Sequence, residues 1–227
     1  MDPTRLPYAA ETVSVPLCTG PLTLLCPRDP KALFDAIEVL DADERLPYWA
    51  ELWPASLALA NAVAAGMPEV RGRRVLELGC GLGLVGLAAA RAGAAEVIAT
   101  DWDPDALRFV DASAAALGLS NLTTRRLDWR DPPADLNADV LLAADVVYEQ
   151  RNVPWLAGAV RALLAPHEAA EFWFTDPGRG HRLALPAALP ELECMAGETR
   201  VRGERVPNGE ASVWVHRLRR LQRGPLG

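Results

Sequence analysis

From about residue 55 onward, apolar residues occur in short runs that alternate with longer amphipathic stretches. The short runs have the length of buried strands and the longer stretches have the length and period of helices. The predicted strands cover residues 75–78, 97–100, 123–127, 140–143 and 171–175, and the predicted helices cover 55–64, 84–92, 104–117 and 153–164. This order is typical of a parallel sheet with helices on both faces.

The N-terminal part of the chain has a different pattern. Two β-like runs, residues 12–17 and 22–25, are separated by Thr19-Gly20-Pro21, which predicts a hairpin, and residues 31–40 predict a helix. We expect these elements to form a small cap that helps to define a substrate.

Two further runs, residues 192–198 and 212–218, predict a final pair of strands around a turn near Pro207-Asn208-Gly209. The expected organisation is therefore an N-terminal extension, a main domain and a short tail, over residues 1–44, 45–220 and 221–227.

Composition and charge narrow the class of protein. The chain has 227 residues, enough for one α/β domain with an extension, and its net charge of −7 argues against broad nucleic-acid binding and favours a basic partner. No apolar run approaches the length that spans a bilayer, and the N-terminus lacks the apolar core of a signal peptide. The four cysteines form no C-x-x-C pair and the three histidines are isolated, so we expect no metal site and a reduced, cytoplasmic protein.

The strand at residues 75–78 runs into a glycine loop, Gly79-Cys80-Gly81-Leu82-Gly83, with Glu77 two residues before the first glycine. Glycines let a ligand approach the backbone, and the N-terminus of the following helix favours an anionic group. Glu77 would attract a cation. S-adenosylmethionine carries an ammonium, a carboxylate and a sulfonium, so it is the expected ligand.

A dinucleotide is the alternative, because Gly81, Gly83 and Gly86 also satisfy G-x-G-x-x-G. A pyrophosphate beside Glu77 would be repelled, so we favour the methyl donor. A purely structural glycine turn is a third interpretation.

Acidic residues also follow the next two predicted strands. Asp101 ends the second strand, where an acid can accept hydrogen bonds from both ribose hydroxyls, and the competing helix-capping role belongs to Asp103. Trp102 could cover the adenine face or pack in the core. Asp128 could accept from the adenine amino group while Trp129 meets the base, although a loop aspartate can also simply cap a turn.

Asp145-Val146-Val147-Tyr148 follows the fourth strand, with Ala144 just before it, where the reactive methyl group is expected. A lysine amine, with a pKa of about 10.4, is mostly protonated at neutral pH and must be oriented and deprotonated. Asp145 could accept hydrogen bonds from it, and Tyr148 could position it through its hydroxyl or its ring. Packing of the loop is the alternative role for Tyr148.

Two more segments carry candidate substrate contacts. In the aromatic strip of residues 47–54, we expect Trp53 to touch the cofactor and Glu51 to face the active site, while Trp49 contacts substrate or packs in the core. In the turn Asp176-Pro177-Gly178-Arg179, the Arg179 side chain could hold a substrate carboxylate or pair with Asp176.

Together these segments resemble the seven-β-strand S-adenosylmethionine-dependent methyltransferases, and more narrowly their methyltransferase-like protein lysine methyltransferase branch. The resemblance covers roughly residues 45–218. It implies a Rossmann-like, seven-stranded, mostly parallel sheet whose last strand is antiparallel, and an enzyme that methylates a protein lysine. The candidate cofactor residues are Trp53, Glu77, Gly79, Cys80, Gly81, Asp101, Trp102, Asp128, Trp129 and Ala144. Asp145 and Tyr148 would lie at the methyl-accepting end.

Two other functions stay open at this point. A small-molecule N-methyltransferase acting on a nicotinamide-like amine would need a closed pocket under the N-terminal cap, whereas an open acidic groove near Asp145 would favour a protein substrate. A noncatalytic partner-binding protein could keep the same fold, but the presence of Asp145 and Tyr148 argues against it.

Overall fold

The computed structural model describes residues 6–35, 46–133, 135–179, 182–202 and 209–220. The strands are β1 Ala10–Val15, β2 Leu22–Pro27, β3 Arg74–Leu78, β4 Glu96–Asp101, β5 Leu122–Arg126, β6 Val140–Ala144, β7 Glu171–Asp176, β8 Leu192–Arg202 and β9 Glu210–Arg220. The α-helices are α1 Pro30–Asp35, α2 Pro54–Ala64, α3 Leu84–Arg91, α4 Pro104–Leu117, α5 Val153–Leu163 and α6 Ala184–Ala187.

Seven strands form one sheet in the order β5-β4-β3-β6-β7-β9-β8. The pairs from β5 to β7 are parallel, and β9 inserts antiparallel between β7 and β8. The predicted fold class is thereby confirmed, including the antiparallel last strand. The strand order reverses between β3 and β6, and ligand crevices of open α/β sheets lie at this position.

Hydrophobic cores lie on both faces of the sheet. Val75 and Leu76 are neighbours in β3 and both fully buried, yet they enter opposite cores because successive strand residues point to opposite faces. Val75 packs in the core that includes Phe109 of α4, and Leu76 packs in the core that includes Leu156 of α5. Burial on both sides explains why these strands read as continuous apolar runs.

The helix α4 begins and ends where the sequence predicts. The Asp103 side chain accepts a hydrogen bond from the Asp105 amide at 2.8 Å, and Pro104 occupies the first helical position. Gly118, with φ of +67°, ends the helix in the left-handed conformation.

The β1–β2 hairpin packs on the helices that cover one face of the sheet. The Leu25 amide donates to Ser113 Oγ of α4 at 2.9 Å, and the Arg91 guanidinium of α3 donates to the Pro21 carbonyl at 2.6 Å. The hairpin core is continuous with the core around α2, α3 and α4.

Several predicted features fall partly outside the described residues. The helix expected over residues 31–40 is described as α1 up to Asp35, and residues 36–40, the turn residues 207–208 and the tail 221–227 lie outside the described ranges. Within those ranges, no helix combines the length and apolar character needed to cross a membrane.

Candidate active site

A cavity of about 730 Å³ lies where β3, β4 and β6 end, a volume in the range that binds nucleoside-sized ligands. All of the predicted cofactor, acceptor and substrate residues line it. Its walls are rich in ionisable groups. The carboxyl groups are those of Glu51, Glu77, Asp101, Asp103, Asp128, Asp145 and Glu149, and the arginines are Arg126, Arg130, Arg151 and Arg179.

The glycine loop has no room for side chains at its first position. Gly79 has φ of +64°, and a Cβ atom there would lie 3.1 Å from Val146 Cγ1 and 3.2 Å from Trp129 Cζ2. Cys80 is buried, and its amide donates to the Thr100 carbonyl at 2.8 Å. The loop is therefore tightly packed between the ends of β4 and β6, and its backbone faces the cavity.

Glu77 is almost fully buried beneath this loop. Its Oε2 accepts a hydrogen bond from the Gly86 amide at 2.8 Å and so fixes α3 to β3. Burial raises the pKa of Glu77 to about 8, so the carboxyl group is mainly protonated in the ligand-free protein at neutral pH. The full negative charge expected from the sequence is therefore largely absent at neutral pH, and Glu77 anchors α3 through its hydrogen bond to Gly86.

Asp101 is held at the cavity wall by two backbone donors. The Gly81 amide donates to Oδ2 at 2.9 Å and the Asp103 amide donates to Oδ1 at 3.0 Å. Burial raises the pKa of Asp101 to about 6, which leaves it mostly ionised at pH 7. Each oxygen keeps a second lone pair, so the carboxylate can accept from two ligand hydroxyls without moving.

The expected base-binding residues are engaged by arginines that the sequence interpretation missed. The Arg126 and Arg130 guanidinium groups lie 4.5 Å and 5.2 Å from the Trp102 ring centroid. Arg130 also forms an ion pair with Asp128, at 2.8 Å from Nη2 to Oδ2. The sequence did contain a signal for this ion pair, because Asp128 and Arg130 are only two residues apart. The Trp129 ring packs with its edge against Gly79 and against the core that includes Leu156 of α5.

An aromatic rim borders the cavity beside Asp145. The Tyr48 and Tyr148 rings are 5.5 Å apart, and the Tyr48 and Trp53 rings are 6.2 Å apart. Trp53 Nε1 donates to the Tyr48 carbonyl at 2.9 Å, which fixes the strip as a tight turn. Tyr48 belongs to the predicted strip, but the sequence pattern did not single it out as a site residue.

Trp49 points away from the rim because neighbouring residues of a tight turn project in different directions. The residue is only 8% exposed, with the Phe109 and Tyr8 ring centroids 5.7 Å and 6.2 Å from its ring. The structure favours the core role for the Trp49 side chain, while its backbone lies against Gly81. Glu51, two residues on, is exposed at the cavity.

Asp145 has the single positive φ, +55°, among the described non-glycine residues. Such a conformation is costly for a residue with a side chain, although aspartate adopts it more readily than most, and it is enriched at functional sites. Its side chain is buried, and burial raises its pKa to about 6 although the nearby Arg179 guanidinium opposes the shift.

The Arg179 side chain pairs with Asp145, which was neither of the two partners expected for it. Arg179 Nε donates to Asp145 Oδ1 at 3.0 Å and Nη2 donates to Oδ2 at 3.1 Å. Asp176 binds the Arg179 backbone amide, not its side chain, at 2.7 Å. The expectation that the side chain pairs with Asp176 is therefore wrong, and the guanidinium is engaged before any substrate carboxylate arrives.

Tyr148 lines the cavity beside Tyr48. Its ring is partly exposed at the rim. The pKa of Tyr148 is raised to about 12, mainly because of burial and secondly because of the nearby negative charge of Glu149. The hydroxyl therefore stays protonated across the physiological range and is able to donate a hydrogen bond.

The residues present fit S-adenosylmethionine. Asp101 offers fixed acceptors that suit ribose hydroxyls, and the Gly79–Gly81 backbone leaves space for close approach. Gly83, the N-cap of α3, has no side chain to cap the helix, so the α3 amides that precede Gly86 suit a carboxylate.

The sheet order and the cavity at its strand ends define a Rossmann-like fold, which solved methyltransferases share. The crystal structure of precorrin-6y C5,15-methyltransferase from Geobacter metallireducens has a TM-score of 0.58 to this chain at 11% identity, covering 73% of this chain and 89% of that one. Residues 42–174 match the family model for lysine methyltransferases, and the chain belongs to that family. S-adenosylmethionine is the methyl donor of the family.

Curated relatives agree with this assignment. The electron transfer flavoprotein beta subunit lysine methyltransferase of Xenopus laevis is 48% identical over 161 residues, covering 66% of this chain and 60% of the relative. The calmodulin-lysine N-methyltransferase of Arabidopsis thaliana is 30% identical over 139 residues, covering 58% and 46%. The chain thus spans about half to three fifths of the length of these relatives.

Proposed function

We propose that the protein is an S-adenosylmethionine-dependent N-methyltransferase that acts on a lysine side chain of a protein. The observation that carries the proposal is the pairing of two features in one cavity. Asp101 offers fixed acceptors for an adenosyl group, and Asp145 lines the cavity just inside the rim that carries Tyr148, where an amine can enter.

S-adenosylmethionine, when bound, supplies an electrophilic methyl group on a positively charged sulfur. Asp101 would accept from the ribose hydroxyls, and the glycine loop would lie along the ligand. Asp128, Trp102 and Trp129 would border the base. Trp53 and Ala144 would close the cavity beside the sulfur and exclude water.

The acceptor half of the cavity suits a long aliphatic amine. Asp145 would accept a hydrogen bond from the lysine nitrogen, and the Tyr48 and Tyr148 rings would pack on its methylene groups. The same rings would attract a partly methylated ammonium through cation–π interaction. Methyl transfer requires an aligned lone pair and a dry site, and these groups act by positioning.

Two observations favour a protein acceptor over a small amine. Among the described residues, none from the β1–β2 hairpin lines the cavity, so the hairpin does not close it. The rim also carries the exposed Glu51, which suits a basic segment of a protein. The electron transfer flavoprotein beta subunit, the substrate in the name of the 48% identical relative, is the acceptor to test first.

The test is transfer of a trideuteromethyl group from labelled donor to that subunit and, in parallel, to a cell lysate. Tandem mass spectrometry should locate the label on a lysine ε-nitrogen. The Asp145→Asn variant should transfer far less, and Arg161→Gln, a surface change on α5, should match wild type. Label on arginine, or only on metabolites, would contradict the proposal, as would no transfer.

We also propose that residues 45–220 form the catalytic domain and that the protein acts in the cytoplasm. All four cysteines are free thiols, as in reducing compartments. Imaging of a fluorescent fusion would check the location. A fusion found in an oxidising compartment would contradict the cytoplasmic assignment.

A further inference from the structure

The carboxylate of Asp145 has a strong partner before any acceptor arrives. Arg179 binds both of its oxygens in a two-point ion pair, with Nε and Nη2 at 3.0 Å and 3.1 Å. The Asp145 side chain is 6% exposed and the Arg179 side chain 36%. Two-point pairs of this kind fix orientation, yet the carboxylate, which has about four lone-pair sites, can still accept from another donor.

The protein backbone is shaped to bring these two groups together. Asp176 is fully buried at the end of β7, and its Oδ1 accepts from the Gly178 and Arg179 amides, both at 2.7 Å. Gly178 has φ of +90°, which closes the turn. On the neighbouring strand, the Asp145 amide donates to the Thr175 carbonyl at 2.9 Å. The ends of β6 and β7 therefore position both partners.

This pairing determines which form of a lysine the site prefers. Only a neutral amine has a lone pair to attack with, whereas an unpaired carboxylate beside it would stabilise the ammonium ion. We infer that Arg179 is a positioning residue that balances the charge of Asp145, so that the acceptor site takes up a neutral lysine amine. Asp145 then orients that amine by accepting a hydrogen bond. The inference rests on the function proposed above.

The proton and electron balance is simple. The lysine ammonium gives one proton to water at the cavity mouth before transfer. Its nitrogen lone pair then forms a bond to the methyl carbon while the carbon–sulfur bond breaks and the bonding pair stays on sulfur. The methylated nitrogen carries the positive charge and leaves as an ammonium ion, so one proton is released for each methyl group transferred.

Other ionisable groups around Asp145 do not replace Arg179. Asp176 faces it from β7 and raises its pKa, which opposes ionisation. On the loop that follows β6, Arg151 forms an ion pair with Glu149. Glu51 and Tyr48 line the cavity from the strip, and Glu77 and Asp101 line it from β3 and β4, and none of these four side chains can carry a positive charge.

The first test is the pH dependence of kcat, which reports groups in the enzyme–substrate complex. Arg179→Gln should raise the pKa of the bound amine, so the rise of kcat should move at least one pH unit upward. At pH 7 the variant should lose about tenfold or more, and near pH 10 less than about threefold. Arg179→Lys keeps the charge and should retain most of the wild-type profile, and Arg161→Gln should retain all of it. An equal loss at every pH in Arg179→Gln would overturn the inference.

The second test needs no methyl transfer. Carbon-13 NMR of labelled aspartate carboxyl groups, with Asp145 assigned through Asp145→Asn, should give a pKa of about 6 in wild type. In Arg179→Gln the value should rise by at least one unit, because the guanidinium lowers it. An unchanged value would overturn the inference. If wild type methylates nothing, the proposed function fails, and this titration still decides whether Arg179 controls Asp145.

Discussion

The two halves of the cavity hold their carboxyl groups in different ways. In the cofactor half, Glu77 and Asp101 accept hydrogen bonds from backbone amides of the glycine loop, of α3 and of Asp103. In the acceptor half, Asp145 accepts from the side chain of Arg179. Backbone amides are neutral and fixed in place, whereas an arginine side chain carries a full charge and can reorient. In the cofactor half, Glu77 and Asp101 are therefore held by neutral backbone groups, whereas Asp145, like Asp128 beside Arg130, depends on a charged side chain.

The largest expected effect comes from removing a carboxylate of the cofactor half. Asp101→Ala should weaken S-adenosylhomocysteine binding by about 3 kcal/mol, roughly a hundredfold, because two charge-assisted hydrogen bonds to ribose are lost. Calorimetry measures the affinity. Asp111→Ala, a surface change on α4, is the control. Equal affinities for wild type and Asp101→Ala would remove Asp101 from the site.

The rigidity of the cofactor half can be tested by adding one methyl group. A Cβ at Gly86 would lie 2.6 Å from Glu77 Oε2, so Gly86→Ala should destabilise the fold by about 1–3 kcal/mol in urea unfolding. A Cβ at Gly158 of α5 would meet no atom within 4 Å, so Gly158→Ala should stabilise the fold by about 0.5–1 kcal/mol. Equal responses of the two variants would mean that the space beside Glu77 is not restricted.

The acceptor half should respond in turnover rather than in cofactor affinity. Tyr148→Phe should lower kcat about tenfold, the effect of losing one hydrogen bond worth roughly 1.4 kcal/mol. Tyr8→Phe removes a hydroxyl that donates to Asp105 outside the cavity and should leave kcat unchanged. If Tyr148→Phe weakened cofactor binding as much as it slowed turnover, Tyr148 would belong to the cofactor half.

The last prediction concerns the pH dependence of stability that the carboxyl group of Glu77 produces. Because its pKa is raised from 4.5 to about 8, the native state binds more protons than the unfolded state between these values, and stability falls as pH rises through this window. Glu77→Gln should reduce this slope by up to about 1.4 kcal/mol per pH unit. Thermal unfolding from pH 5 to pH 8 measures it. Parallel curves for the two proteins would show that Glu77 is ionised in the native state.

The difference between the halves also explains how much the sequence could predict. The strands of the main sheet and α4 were predicted because apolar runs, and an aspartate cap followed by proline, are local signals. The acids Glu77 and Asp101 were found because the ends of neighbouring parallel strands meet in space. Their hydrogen-bond partners lie in or close to the adjacent glycine loop, so the local sequence carried most of the information.

The acceptor half depends on contacts between distant segments. Asp145 and Arg179 are 34 residues apart in sequence, and the local turn gave Asp176 as a nearer partner for the guanidinium. Tyr48 meets Tyr148 from a distant part of the chain, and only the packing of Trp49 onto Phe109 decides which aromatic residue of the strip faces the cavity. Local sequence patterns therefore could not predict these pairings.

Calorimetric titration of S-adenosylhomocysteine and of NADH into the wild-type protein tests the central claim most directly. In this account the fixed carboxylate of Asp101 binds the ribose of a single adenosyl group. We therefore expect S-adenosylhomocysteine to bind with a micromolar dissociation constant and the titration with NADH to release no heat. Binding of NADH without binding of S-adenosylhomocysteine would contradict the account.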